Sequence, residues 1–273
     1  NPGYLSGMHG MRNIRYVAAA TADVLLPRSC AVCGRRLTVR ERFICIGCME
    51  DIPYTYNWTM RYHPTADRFN MAIQQDLAGY EPYSYVANLF FYDDGNGYRH
   101  ICHRLKYQGD IGIGRHFGKE LGLRLSAAPH FRDVDAVVPV PLHWKRLWKR
   151  GYNQASVIGK EVARVLGVRF CPGLLARKKE TVSQTSLDDR RKHENVKDAF
   201  AVPDMSVAEG RIRDRGIFRN AGRSGDEVRD IIIVDDVFTS GATTAACHKA
   251  LRQLFPAPVR ISAATLAAVD EDF

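Results

Sequence analysis

The sequence predicts an α/β fold on a parallel sheet, with a small four-cysteine module ahead of it. Three observations carry this reading. From Tyr85 onward, short continuous apolar runs alternate with stretches of helical period, as strands covered on both faces require. Near the start, two Cys-x-x-Cys pairs stand 11 residues apart. Late in the chain, an apolar run ends in two adjacent acids and passes into a hydroxyl-rich turn.

The elements follow in order. Arg12 to Leu26 reads as a helix stopped by Pro27. The cysteine module then occupies about residues 28–52, so that residues 12–52 form an N-terminal unit, 53–84 a connecting segment without clear periodicity, and 85–273 the α/β domain. Val86 to Tyr92 is a strand, and Gly97 to Tyr107 and Gly114 to Leu125 are helices. Val134 to Val140 is a buried strand, and the helix after Asn153 carries Ala155, Ile158, Val162 and Val165 on one stripe. Leu174 to Arg177 and Ala199 to Val202 are short strands around a polar loop. Asp230 to Asp235 is a buried strand, Ala242 to Leu254 a helix, and Val259 to Ala267 a last strand. Ser206 to Arg229 is polar, rich in Gly and Arg, and reads as an exposed insertion.

At 273 residues, 45% hydrophobic and 25% charged, the chain has the balance of a globular protein with one sizeable core and a satellite. It lacks the run of about 18 apolar residues that a spanning helix needs. Asp23 interrupts the apolar stretch Tyr16 to Leu26, which argues against a secretory signal. A cytoplasmic protein without a membrane span is therefore expected.

Charge is uneven. Between Pro139 and Lys197 there are 14 Lys and Arg against 5 Asp and Glu, which equals the whole net charge of +9. Such asymmetry points to an anionic partner on one face, either a polyphosphate or a nucleic acid.

Cys30, Cys33, Cys45 and Cys48 have the spacing of two knuckles that complete a tetrahedral zinc site. Two disulfides are the alternative, and they would need an oxidising compartment. A saturated site has no open coordination position, so the zinc would be structural and would supply folding free energy to the module. Cys102, Cys171 and Cys247 have no partners at ligand spacing and read as small core residues.

The segment Asp230-Ile231-Ile232-Ile233-Val234-Asp235-Asp236-Val237-Phe238-Thr239-Ser240-Gly241-Ala242-Thr243-Thr244 is the most informative. A turn of small and hydroxyl-bearing residues opening a helix suits a phosphate, and carboxylates can accept from sugar hydroxyls. A phosphorylated ribose satisfies both halves. The segment resembles the phosphoribosyl-pyrophosphate (PRPP) motif of the type I phosphoribosyltransferases. The resemblance implies that fold, with Asp235 and Asp236 on the ribose and, as the only catalytic candidates, helping to neutralise charge at the reacting carbon. It implies Thr239, Ser240, Gly241, Ala242 and Thr243 around the 5′-phosphate.

Two further segments extend the likeness. Lys145, Arg146, Lys149 and Arg150 follow Val138-Pro139-Val140-Pro141-Leu142 where these enzymes carry a pyrophosphate loop. Arg177, Lys178, Lys179, Gln184, Arg190 and Arg191 stand where a flexible loop closes over the reacting groups, excluding water. With the cysteine module and the segment Arg104 to Asp110, the chain is similar to the ComF/GntX family of competence-associated proteins from about Leu25 onward.

That resemblance implies a role in DNA uptake and natural transformation, with single-stranded DNA and proteins of the uptake machinery as partners. Trp144, Trp148 and Tyr152 among Lys149 and Arg150 are then candidates for stacking on bases. Tyr152 and Trp148 could equally anchor the segment to the core. The alternative function is an active transferase of nucleotide salvage or synthesis. It would move ribose 5-phosphate from PRPP to a nitrogen acceptor, with Mg²⁺ bridging pyrophosphate and ribose hydroxyls.

Overall fold

The computed structural model describes residues 28–74, 79–92, 95–178, 199–203 and 228–269. The helix expected over Arg12 to Leu26, the loop residues Lys179, Gln184, Arg190 and Arg191, and the insertion up to Glu227 lie outside the described residues.

The elements are α1 (Ile46–Glu50), α2 (Pro64–Gln74), β1 (Val86–Tyr92), α3 (Arg99–Tyr107), α4 (Ile111–Ala127), β2 (Ala136–Pro139), α5 (Trp144–Arg150), α6 (Gln154–Leu166), β3 (Arg169–Phe170), β4 (Ala176–Arg177), β5 (Phe200–Ala201), β6 (Asp230–Phe238), α7 (Ala242–Arg252) and β7 (Arg260–Val269). Five strands form one parallel sheet in the order β1-β7-β6-β2-β3. β4 and β5 pair antiparallel beside it. The expected α/β architecture with a parallel sheet and an N-terminal cysteine cluster is observed.

The runs that read as strands are apolar on both sides because both faces of the sheet are covered. Val137, Ile232, Val234, Ala264 and Leu266 pack toward Ile113, Phe117 and Leu121 of α4 and Ile158 and Val162 of α6. Val138, Ile231, Ile233 and Ile261, the alternating positions, meet Cys247 and Leu251 of α7. Cys102, Cys171 and Cys247 are buried, as expected of core residues. The glycines of α4 let α6 approach: a Cβ at Gly118 would crowd the Ile158 backbone.

The connecting segment has more order than its sequence suggested. It holds a short 3-10 turn at Asn57–Thr59 and the 11-residue α2, whose Phe69 and Ile73 are buried. The cysteine module shares its core with the α/β part, since Leu37 and Ile44 lie in the same cluster as Phe90 and Phe117. Tyr98 Oη donates to the Cys48 carbonyl at 2.8 Å, and Arg104 Nη1 to the Ser29 carbonyl at 3.0 Å. No described helix is long and apolar enough to cross a membrane.

Candidate functional site

β6 continues to Phe238, three residues past the end that its apolar run suggests. The cause is pairing: β7 stays in register through Asp235↔Thr265 and Phe238↔Ala268, whereas β2 stops opposite Val234. Asp235 and Asp236 thus sit inside a strand whose other neighbour has just left. After β2 the chain turns toward β3, and after β6 it turns toward β7. Such a point of divergence at the carboxyl ends of parallel strands opens a crevice.

The crevice encloses about 250 Å³ and is lined by the acid pair, Thr239, Gly241 and Thr243 of the following turn, and Arg146 and Arg150. Gly241 has φ +78° and no side-chain cap spans the start of α7, so its first N–H groups have no side-chain acceptor, and Gly241, Thr243 and Thr244 line the crevice. Thr244 Oγ1 donates to the Gly241 carbonyl at 2.8 Å and fixes the turn. Ser240 Oγ is buried with no hydrogen-bond partner.

The four cations expected in a loop instead lie on a helix, α5, which ends at Gly151 with φ +81°. Their spacing explains this: no Gly or Pro interrupts Trp144 to Arg150, and Gly151 supplies the left-handed stop. The helix sorts the run into i, i+4 stripes. Arg146 and Arg150 line the crevice. Lys149 faces an adjoining cavity of about 320 Å³ whose wall includes Lys106, Tyr107, Arg146 and Arg150. Trp144 and Trp148 point outward, 64% and 87% exposed.

Each residue of Gly151-Tyr152-Asn153-Gln154 has a separate task. Gly151 ends α5. Tyr152 turns inward, and its hydroxyl donates to the Leu105 carbonyl; it is an anchor, not an exposed stacking surface. Asn153 accepts from the Ala155 N–H at 3.1 Å, capping α6, and its Nδ2 donates to the Val140 carbonyl at 2.9 Å, tying down the crevice wall. Gln154 Nε2 approaches Asp236 Oδ1 at 3.4 Å.

The acids have different environments. Lys106 of α3 places Nζ 2.7 Å from Asp236 Oδ2. Burial opposes the lysine's charge, but Asp236 beside it outweighs burial and holds the ammonium above its ordinary range. Asp235 is pushed up to about 8, first by burial and then by the neighbouring Asp236. Arg177 stands close enough to favour the charged Asp235, while burial and then Arg146 lower its own pKa. Lys106 and Gln154 escaped the sequence reading as site residues. Lys106 stands in the Arg104 to Asp110 segment of the family likeness but without an assigned role, and Gln154 at the end of the segment that follows the basic run.

Asp235, Asp236, Thr239, Gly241, Thr243, Arg146, Arg150 and Arg177, all expected at one site from the sequence, line this crevice. Ser240 and Ala242 belong to the same turn, while Lys145 and Lys178 are not in its wall. Lys145 instead stacks over Trp144, 5.9 Å from the ring centre.

At the other site, the sulfurs of Cys30, Cys33, Cys45 and Cys48 lie within 4.8 Å of one another. Cys33 and Cys45 are 3.7 Å apart, and none of the four forms a disulfide. A tetrahedral zinc with Zn–S near 2.3 Å sets its sulfurs about 3.8 Å apart, so the donors fit. N–H groups of Val32 and Cys45 point at Cys30 Sγ, 3.4 and 3.3 Å away, as they would toward a thiolate. Glu41 braces the second knuckle, accepting from the N–H groups of Thr38 at 2.7 Å and Ile46 at 2.8 Å.

Fold and site together define a parallel α/β protein with a cation-lined crevice above an acid pair, joined to a four-cysteine module. Comparison with known proteins narrows this. The chain is 25% identical over 238 residues to "Competence protein F" of Haemophilus influenzae, covering 82% of this chain and 91% of that protein. It is 28% identical over 164 residues to "DNA utilization protein YhgH" of Escherichia coli K12, covering 59% of this chain and 63% of that protein. A YhgH protein of Salmonella typhi matches at 29% over 127 residues, about half of each chain. No protein-family model matches the chain. The resemblance to the ComF family read from the motifs is borne out by the first two likenesses.

Proposed function

We propose that this protein binds PRPP, or a related phosphorylated ribose, in the crevice at Asp235 and Asp236, and works in DNA uptake or utilisation with single-stranded DNA on the adjoining basic face. One observation carries the reading. The acid pair, the Thr239 to Thr243 turn and the guanidinium groups of Arg146 and Arg150 wall a single cavity, although they come from segments almost 90 residues apart in sequence. In this account the turn and the start of α7 take the 5′-phosphate, the acids accept from ribose hydroxyls, and the arginines take the pyrophosphate. The names of the similar proteins, one a competence protein and the others DNA utilization proteins, support the biological setting. For the DNA face, Trp144 and Trp148 present exposed rings beside Lys145 and Lys149, the combination that holds single strands without sequence preference. The four cysteines hold a structural zinc that fastens the module to α3.

A second reading, transfer of ribose 5-phosphate to a nitrogen acceptor, is favoured by the adjoining cavity, which shares Lys106, Tyr107, Arg146 and Arg150 with the crevice and offers room for an acceptor. The reaction would break the C1–O bond to pyrophosphate and form a C1–N bond, with Arg146 and Arg150 stabilising the departing anion. Calorimetric titration of the zinc-loaded chain with PRPP tests the first reading, and pyrophosphate release during a screen of nitrogen bases tests the second. Absence of saturable PRPP binding would defeat both.

A further inference from the structure

We infer that Lys106 is the resident counter-cation of the acid pair, so that a phosphorylated ribose binds the crevice without a divalent cation held by the protein. The inference deepens the ribose-phosphate reading above and rests on it.

The geometry of the donors carries it. Lys106 Nζ lies 2.7 Å from Asp236 Oδ2, and the Asp236 side chain is only 4% exposed. Gln154 Nε2 stands 3.4 Å from the other oxygen, and Asp235 Oδ1 accepts from the Asp236 N–H at 2.9 Å. Two of the four carboxylate oxygens therefore accept hydrogen bonds from protein N–H groups, and a third, Asp236 Oδ2, is held in ion-pair contact with Lys106 Nζ. An ion such as Mg²⁺ needs near-octahedral oxygens at about 2.0–2.1 Å, and carboxylates committed in this way do not offer them. The lining agrees: among the described residues, Lys106, Arg146, Arg150 and Arg177 face the same cavity as Asp235 and Asp236. A dication would enter a site already rich in positive charge, whereas an anionic sugar phosphate would relieve it.

Lys106 is also held in place. Ile101 and Leu105 fix α3 in the core, and the Tyr152 hydroxyl holds the Leu105 carbonyl one residue away. The titration of the neighbours is consistent, since Asp236 keeps the ammonium charged while burial and then Asp236 favour the protonated form of Asp235. One lysine then balances one carboxylate, and Asp235 can both accept from and donate to ribose hydroxyls. Lys106 acts here as a positioning residue.

The probe is ribose 5-phosphate, which lacks the pyrophosphate that would carry Mg²⁺ by itself. It is titrated into the zinc-loaded full chain in buffer stripped of divalent cations on chelating resin, then with millimolar Mg²⁺. The wild-type dissociation constant should agree between the two conditions within about twofold. Lys106→Met should weaken binding by about tenfold or more without Mg²⁺, because it strands a buried carboxylate, and Mg²⁺ should recover part of the loss. Lys106→Arg, which keeps the charge, should stay independent of Mg²⁺, and thermal melting of each variant checks the fold. Wild-type binding that appears only with Mg²⁺ overturns the inference and leaves the ribose-phosphate reading intact, as does Lys106→Met binding like wild type without Mg²⁺. If neither ribose 5-phosphate nor PRPP binds wild type in either condition, the reading fails and the inference with it.

Discussion

Replacing Gly241 with alanine should damage stability and ligand binding together, for reasons that can be separated. Gly241 has φ +78°, a left-handed conformation that costs an L-residue roughly 1–2 kcal/mol. Its new Cβ would also stand 2.7 Å from Phe238 Cζ. Phe238 cannot easily yield, being 2% exposed and set edge-on to Phe69 at 6.4 Å. Overpacking of a filled core costs about 1–3 kcal/mol, so the combined loss should be about 2–5 kcal/mol. Urea denaturation of the zinc-loaded chain measures it. Repeating the substitution in a Phe238→Leu background should shrink its penalty by about 1 kcal/mol, because the clash is relieved and the backbone cost is not. Ribose 5-phosphate affinity should fall in both backgrounds, since the turn that presents the first N–H groups of α7 has shifted. A loss below about 0.5 kcal/mol, or an identical loss in both backgrounds, would refute the reasoning.

Four other outcomes are expected. Lys149→Ala with Arg150→Ala should weaken both PRPP and a single-stranded oligonucleotide, and should reduce the log–log salt slope for DNA by about 0.7 per lost phosphate contact; Asp235→Asn with Asp236→Asn should weaken PRPP alone, and an equal loss of DNA binding with the fold intact would remove the idea of two surfaces. Trp148→Ala should cost about 1–3 kcal/mol in oligonucleotide binding without lowering the melting temperature, because the ring is 87% exposed; an unchanged oligonucleotide affinity would count against stacking. Burial, opposed by Arg260, raises the Asp230 carboxyl from 3.8 to about 7. Its proton is bound more tightly in the folded state, so stability from this group is full below pH 4 and is lost as pH rises toward and through 7. Asp230→Asn should remove that part of the pH dependence in denaturant melts between pH 4 and 8, and a profile unchanged from wild type would show that Asp230 titrates normally.

Local pattern made much of this molecule readable. The Ile231 to Val234 run announced a strand covered on both faces, and the acids and small residues after it announced the crevice, because strand end, turn and helix start are contiguous in sequence. The cysteine spacing was equally explicit, since both knuckles are local. What escaped depends on tertiary placement. Nothing in Arg104-Leu105-Lys106 says that one cation of α3 reaches an acid of β6 about 130 residues later. The extension of β6 to Phe238 comes from β7, whose pairing holds polar residues in a strand. The helix at Trp144 to Arg150 was hidden because the resemblance implied a loop there, although its residues have ordinary helical propensity. The two tryptophans and Tyr152 look alike in sequence, yet a hydrogen bond to the Leu105 carbonyl turns Tyr152 inward and leaves the tryptophans in solvent.

The most direct test of the central claim is calorimetric titration of the zinc-loaded chain with PRPP, repeated with a saturating single-stranded oligonucleotide. The account predicts saturable PRPP binding that is abolished by Asp235→Asn with Asp236→Asn, while the oligonucleotide still binds that variant. An oligonucleotide that binds while PRPP does not would contradict it, leaving the crevice without its ligand.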